Sequence, residues 1–190
     1  MLSFQAKPLS KEYILKKNNL TKRFNKKNVK LVEIDIENNK DIIAVNNAIK
    51  SWAKNDVYGY TIFNNILDTM RTKKKNNNII FLAIVNQFKN LDILDSKKIL
   101  GLAEVYHTNK NTKNINFIQV KPKYIEKYQI LGSYTLKYKN IGTALINGLK
   151  NIYPKAKLTT YSLPDNYPFF EKNGFKRIDY SCRFEYENTK

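Results

Sequence analysis

The sequence predicts an α/β fold, a mixed sheet with helices on its faces. Three observations carry that expectation. The run NIIFLAIVNQ (78–87) is almost continuously apolar and β-branched, the pattern of a strand buried on both faces. Ile42, Val45, Ile49 and Trp52, and again Ile141, Leu145, Leu149 and Ile152, recur at the spacing of one helical face. Strand-like and helix-like segments alternate toward the C-terminus, which calls for a crossover between strands of one sheet. At 190 residues the chain suits one domain with a sizeable core and is short for two.

Each element follows from local pattern. Residues 1–28 are polar and basic, suggest only a short helix after Ser10, and read as a loosely ordered extension ahead of a single domain over 29–190. VKLVEIDI (29–36) alternates apolar and charged residues and predicts a first strand with one face buried. Asn38, Asn39 and Asp41 begin a helix that runs to Trp52. Gly59 reads as a break. Phe63, Ile66, Leu67 and Met70 then form the inner face of a second helix, which ends in RTKKKNNN, where lysines suit the helix dipole. Strands follow at 78–87, 97–107 and 113–121, the last two joined by the turn TNKNTK. Residues 122–138 are irregular. A helix over 140–153, a strand over 157–162, a short helix NYPFFEKNG stopped at Gly174, and one or two strands in FKRIDYSCRFEYE complete the chain.

The one cysteine, Cys182, excludes an intrachain disulfide and suits a reducing compartment. The opening MLSFQAKPLS lacks the apolar core of a signal peptide, and no apolar run is long enough to cross a bilayer. A cytoplasmic protein with no membrane partner is the expectation. The formal charge of +18 has two readings. A basic surface attracts nucleic acid or an acidic partner, whereas a chain rich in both asparagine and lysine also follows from AT-rich coding DNA. The lysines show no aromatic interleaving along any single strand or helix, which weighs against a nucleic-acid surface.

The chemistry concentrates in YKNIGTALINGLK (138–150). A helix N-terminus offers unpaired N–H groups and the positive end of a dipole, and so holds phosphate oxygens. Small residues there permit close approach, and lysines add charge. Gly142 and Ala144 serve equally well for close helix–strand packing.

This stretch resembles the acyl-CoA pyrophosphate loop of the GNAT superfamily of N-acyltransferases, with Lys137 at the basic position, Asn140 at the first glycine and Gly142 at the last. Asn140 departs only mildly, because asparagine tolerates left-handed backbone. INFIQVKP (115–122) resembles the strand that pairs with the pantetheine arm, and PDNYPFFEKNGFKRI the family's last motif. Together these cover about 98–180. The resemblance implies a mixed, mostly antiparallel central sheet with helices on both faces. It further implies transfer of acetyl from acetyl-CoA to a primary amine of an unidentified acceptor. The N–H groups of Asn140, Ile141, Gly142 and Thr143, with Lys137 and Lys139, would hold the pyrophosphate. The backbone of Ile118, Gln119 and Val120 would align the arm, and Asn166 with Phe169 or Phe170 would line its far side. Dimers are common in the family, so a homodimer is open.

Two departures bear on chemistry. KYIEKYQILGSYTL is inserted between Pro122 and Lys137, either shaping an acceptor pocket or forming a surface excursion. Phe170 stands where many members carry the tyrosine that protonates the departing thiolate; Tyr128, Tyr161, Tyr167 or water are the substitutes. Glu104, in GLAEVYH, is the candidate base for the attacking amine, directly or through water. On period two it shares a face with Leu100, Leu102 and Tyr106, and His107, an ordinary strand-end residue, points the other way. No His, Cys, Asp grouping has metal-ligand spacing. The rival reading is a catalytically weakened binding module that uses the basic surface for an acidic partner or RNA. A variant keeps catalysis and recruits an amine borne on a charged tRNA.

Overall fold

The computed structural model describes residues 7–17, 24–52, 57–71, 78–89, 93–122 and 138–188. The strands are β1 (Lys7–Lys17), β2 (Phe24–Glu33), β3 (Ile79–Val85), β4 (Ile99–Asn109), β5 (Thr112–Val120), β6 (Tyr138–Lys139), β7 (Lys157–Tyr161), β8 (Lys176–Arg177) and β9 (Arg183–Tyr186). The helices are α1 (Asn39–Ser51), α2 (Val57–Arg71), α3 (Ile141–Ile152) and α4 (Tyr167–Lys172). All nine strands join one sheet in the order β6-β1-β2-β3-β4-β5-β7-β9-β8. Every pairing is antiparallel except β5 with β7, which is parallel and bridged by α3. The sheet is therefore mixed and mostly antiparallel, as expected.

The N-terminal stretch corrects the sequence reading. Residues 7–17, expected to be loosely ordered with a short helix after Ser10, form an eleven-residue strand paired along β2. Glu12 and Ile14 point into the core and Lys11 and Tyr13 outward, a two-residue period. Glu12 is buried but satisfied, because its Oε1 accepts from Asn151 Nδ2 of α3 at 2.9 Å and from Ser10 Oγ at 2.8 Å. The following strand correspondingly begins at Phe24 rather than Val29 and ends at Glu33. Gly59 does not break the chain; it lies within the first turn of α2. Residues 123–137, the inserted segment, lie outside the described residues, as does Lys137.

Two apolar clusters lie on opposite faces. One joins α3 and α4 to the sheet through Leu31, Ile84, Leu145, Leu149, Phe170 and Phe184. The other joins α1 and α2 through Val32, Val45, Ile66, Phe81 and Leu102. At Gly148 an added Cβ would meet Leu31 Cδ2 at 2.6 Å, so α3 packs closely on the sheet there and a larger residue would force the Leu31 side chain to move. α4 ends because Gly174 turns left-handed at φ +79°, and the Phe175 N–H returns to Phe170 O at 3.0 Å.

Candidate active site

The parallel ladder between β5 and β7 is short. It runs from Thr112↔Lys157 to Ile115↔Thr160 and stops. Beyond it, β7 stays with β9, the Ser162 N–H donating to Cys182 O at 2.9 Å, while β5 stays with β4 to Val120↔Gly101. The two strands thus part, and among the described residues the β5–β7 ladder does not extend past Ile115. The Lys121 N–H donates to Leu100 O of β4. By strand alternation the Ile118 N–H and C=O then face the open side. Val120 O is taken by Gln119 Nε2 at 2.9 Å.

The opening of α3 faces the same region. Asn140 sits at φ 63°, ψ 26°, in left-handed backbone, with no side-chain cap bond. The first intrahelical bond is Ala144 N–H to Asn140 O at 2.9 Å, so the N–H groups of Ile141, Gly142 and Thr143 have no partner within the helix. Asparagine is chemically apt here, since of the non-glycine residues it pays least for φ above zero. The Ile141 side chain belongs to the core, leaving only its backbone for the opening. Lys139, half-buried in β6, immediately precedes Asn140 and pairs with Leu15 of β1.

Gly142 is buried. A Cβ there would come within 3.0 Å of Phe169 Cε2 and 3.6 Å of Val120 Cγ2. Phe169 therefore rests on the helix opening beside β5. Phe170 does not share that position: its ring is buried against Phe175, Phe184 and Phe169, with centroids 5.5, 5.7 and 5.1 Å away. Of the two phenylalanines only Phe169 reaches the opening, and Phe170 is a core residue. Asn166 is exposed just before α4, with no side-chain cap bond.

Glu104 is 2% exposed and faces the α1/α2 side. Leu100 does not share its face, contrary to the period-two reading. The register shifts between Ile84↔Gly101 and Val85↔Ile99, which turns Leu100 into the α3 cluster while Leu102 stays in the other. Both carboxylate oxygens are held: Asn65 Nδ2 of α2 donates to Oε2 at 2.7 Å, and Asn116 Nδ2 donates to Oε1 at 2.9 Å. Asn116 is the extra residue of a bulge in β5, where the register passes from Phe117↔Glu104 to Ile115↔Val105. Its Oδ1 accepts from Asn114 Nδ2, and Asn114 Oδ1 accepts from Thr159 Oγ1 at 3.0 Å. A polar chain thus runs from β7 across β5 to a buried acid on β4. Sequence reasoning missed Asn65, Asn114 and Asn116. The available signal was two asparagines in a predicted strand, where that residue is disfavoured.

His107 lies on the opposite face, its Nε2 2.9 Å from Tyr153 Oη at the far end of α3, roughly 18 Å of helix from the opening. Burial and the nearby Lys113 charge lower its pKa, and burial first, then Glu33, pushes the Tyr153 hydroxyl up to about 12. Among the described residues no group of three or more His, Cys, Asp or Glu could hold a metal ion, and no helix is long and apolar enough to cross a membrane.

The mixed, mostly antiparallel sheet with helices on both faces has the fold of GNAT-family acetyltransferases. Three solved structures illustrate the likeness. A GNAT-family protein from Desulfovibrio desulfuricans superimposes with a TM-score of 0.52 at 13% identity, covering 85% of this chain and 99% of that one. The N-acetyltransferase PseH from Campylobacter jejuni, in complex with acetyl coenzyme A, gives 0.50 at 15% identity over 85% and 99%. AtaTR bound with AcCoA gives 0.50 at 8% identity over 84% and 93%. No family model and no curated protein matches the sequence.

Proposed function

We propose that the protein is an N-acetyltransferase that takes acetyl from acetyl-CoA to a primary amine. The observation that carries this reading is the coincidence of three features at one place. The N-terminus of α3, the end of β5 past its ladder with β7, with the Ile118 backbone facing the β7 side, and the Phe169 ring converge there. Free helix N–H groups suit phosphate oxygens, and an unpaired strand edge suits an amide-bearing arm. The acetyl-CoA-bound neighbours of the same fold agree with that use.

In this reading the N–H groups of Ile141, Gly142 and Thr143, with Lys139 and Lys137, bind pyrophosphate oxygens. The open Ile118 backbone aligns the arm, its N–H placed to polarise a thioester carbonyl. Acetyl-CoA supplies an activated acyl group. Glu104, oriented by two amide donors, takes the amine proton directly or through water, and the Asn116–Asn114–Thr159 chain fixes that orientation. Phe169 lines the arm, with Asn166 near the rim.

The acid that meets the departing thiolate is Tyr161. Tyr167 Oη donates to Cys182 Sγ at 3.1 Å, and its ring lies 4.6 Å under the Arg177 guanidinium. Tyr161 is 68% exposed, stands one residue past the last β5–β7 pair, and shares the face of Thr159. Tyr161→Phe should lower kcat about 10-fold to 100-fold with KM for acetyl-CoA unchanged. An unaltered kcat would remove Tyr161 and leave the thiolate to depart unaided.

Calorimetric titration tests the reading as a whole. Micromolar binding of acetyl-CoA is expected, weakened at least 100-fold in Gly142→Glu. That side chain would displace Phe169 and set a carboxylate against the helix N-terminus. No binding by the wild type, or equal binding by the variant, would overturn it. Loss of catalysis with a surviving basic surface is the rival, favoured by Phe170, whose buried ring carries no proton to give.

A further inference from the structure

Lysines and aromatic rings that are far apart in sequence meet on one face of the sheet edge. The face is fixed by register. Lys11 pairs with Lys30, and Tyr13 with Asn28; Lys30 pairs with Val85, which belongs to the α1/α2-side cluster. Lys11, Tyr13, Lys26, Asn28 and Lys30 therefore lie on that side of the sheet. Tyr13 is 59% exposed, and Phe88, just past β3, is 45% exposed. Lys26 Nζ lies 5.9 Å from the Tyr13 ring centroid and Lys30 Nζ 5.7 Å from that of Phe88. Lys30 also donates to Phe88 O at 3.4 Å.

Neither β1 nor β2 sets a carboxylate on this face: the one acid in β1, Glu12, and the one in β2, Glu33, stand at positions of the opposite face. Two features are unfavourable for the isolated chain. Lys11 and Lys30 are directly opposed like charges, which destabilise a strand pair, and two large rings lie open to water. Both become favourable if a polyanion with stackable faces covers them.

We propose that this face binds single-stranded nucleic acid, with bases stacked on Tyr13 and Phe88 and phosphates held by Lys11, Lys26 and Lys30. Charge complementarity selects a polyanion. The exposed rings select one that presents planar faces, which an acidic protein segment does not. The surface goes beyond the acetyl-transfer reading and stands without it: it involves none of the residues placed at the α3 opening or around Glu104.

The test is fluorescence anisotropy with a labelled single-stranded RNA of about 12 nucleotides. Binding by the wild type should fall steeply with salt. Tyr13→Ala and Phe88→Ala should each weaken it about tenfold with the salt slope kept. Lys11→Gln, Lys26→Gln and Lys30→Gln together should reduce that slope by about 2. All these positions lie away from the α3 opening and Glu104, so acetyl-CoA affinity should match the wild type, and relief of the Lys11–Lys30 opposition should leave the lysine variant melting no lower. That control separates failure here from failure of the acetyl-CoA site. No RNA binding at low salt overturns the proposal. So does binding that the ring variants leave unchanged while polyglutamate competes as well as RNA, which would make the face a docking site for an acidic protein.

Discussion

Glu104→Gln is expected to lower kcat by about 100-fold or more while leaving acetyl-CoA affinity within twofold of the wild type. The chemistry needs an acceptor for the amine proton, and a carboxamide takes none. The variant should still fold. Glutamine has nearly the same shape, and one of its partners can adapt: Asn65 donates to Oε2 through its amide, so rotation of that amide offers Oδ1 to the new NH2 group. Asn116 cannot adapt as freely, because its Oδ1 already accepts from Asn114, so it keeps donating to the glutamine oxygen. A stability cost of about 1 kcal/mol follows. Glu104→Ala would instead leave two amides without their acceptor beside a cavity, and would cost about 3 kcal/mol. Steady-state kinetics with an accepted amine, paired with calorimetry for acetyl-CoA, separates the cases. A Glu104→Gln enzyme with wild-type kcat would remove this carboxylate from catalysis.

The second large effect lies in the first turn of α1, away from the opening. Asp41 is fully buried, and burial pushes its carboxyl up to about 6, from an ordinary value of 3.8. Hydrogen bonds from the Asp35 backbone, whose N–H donates to Oδ2 at 3.3 Å, and from the Leu94 backbone pull the other way, and the Asp35 charge adds to the upward push. The folded protein thus holds this proton more tightly than the unfolded chain. The stabilisation is fully present below about pH 4 and is lost as pH rises through about 6, an amount of about 3 kcal/mol. Asp41→Asn removes the titration while its amide oxygen, turned to the place of Oδ2, keeps an acceptor for the Asp35 N–H. Denaturant unfolding at several pH values should therefore show the variant gaining on the wild type by about 3 kcal/mol between pH 4 and 7. A difference that does not change with pH would mean that the buried carboxyl is not the group responsible.

The layout of elements from β2 onward was legible in local pattern, because each depends on contacts of short range. The run 78–87 became β3, buried on both sides; the stripe from Ile141 to Ile152 became α3; Gly174 stopped α4 by its left-handed φ. Asn140 as a left-handed opening was legible for the same reason, since backbone preference belongs to the residue itself. The register error at Leu100 shows the limit. A bulge adds one residue and reverses every face assignment on its far side, and no local pattern announces it. β1 was missed because its single buried flank pairs acid with hydrocarbon, and Glu12 reads as surface until Asn151 arrives from the other end of the chain.

The sequence by itself determined the main elements from β2 onward, their order, the small-residue opening at 140–143 and the choice of Glu104 as the acid to watch. Only the tertiary structure decided which groups meet. It set Phe169 on Gly142 and sent Phe170 into the core. It closed the amide chain on Glu104 and laid Tyr13 and Phe88 beside lysines of a neighbouring strand. The reason is physical: helix and strand periodicity fix how each segment presents its side chains, but pairing register and the parting of β5 from β7 depend on contacts between residues distant in sequence.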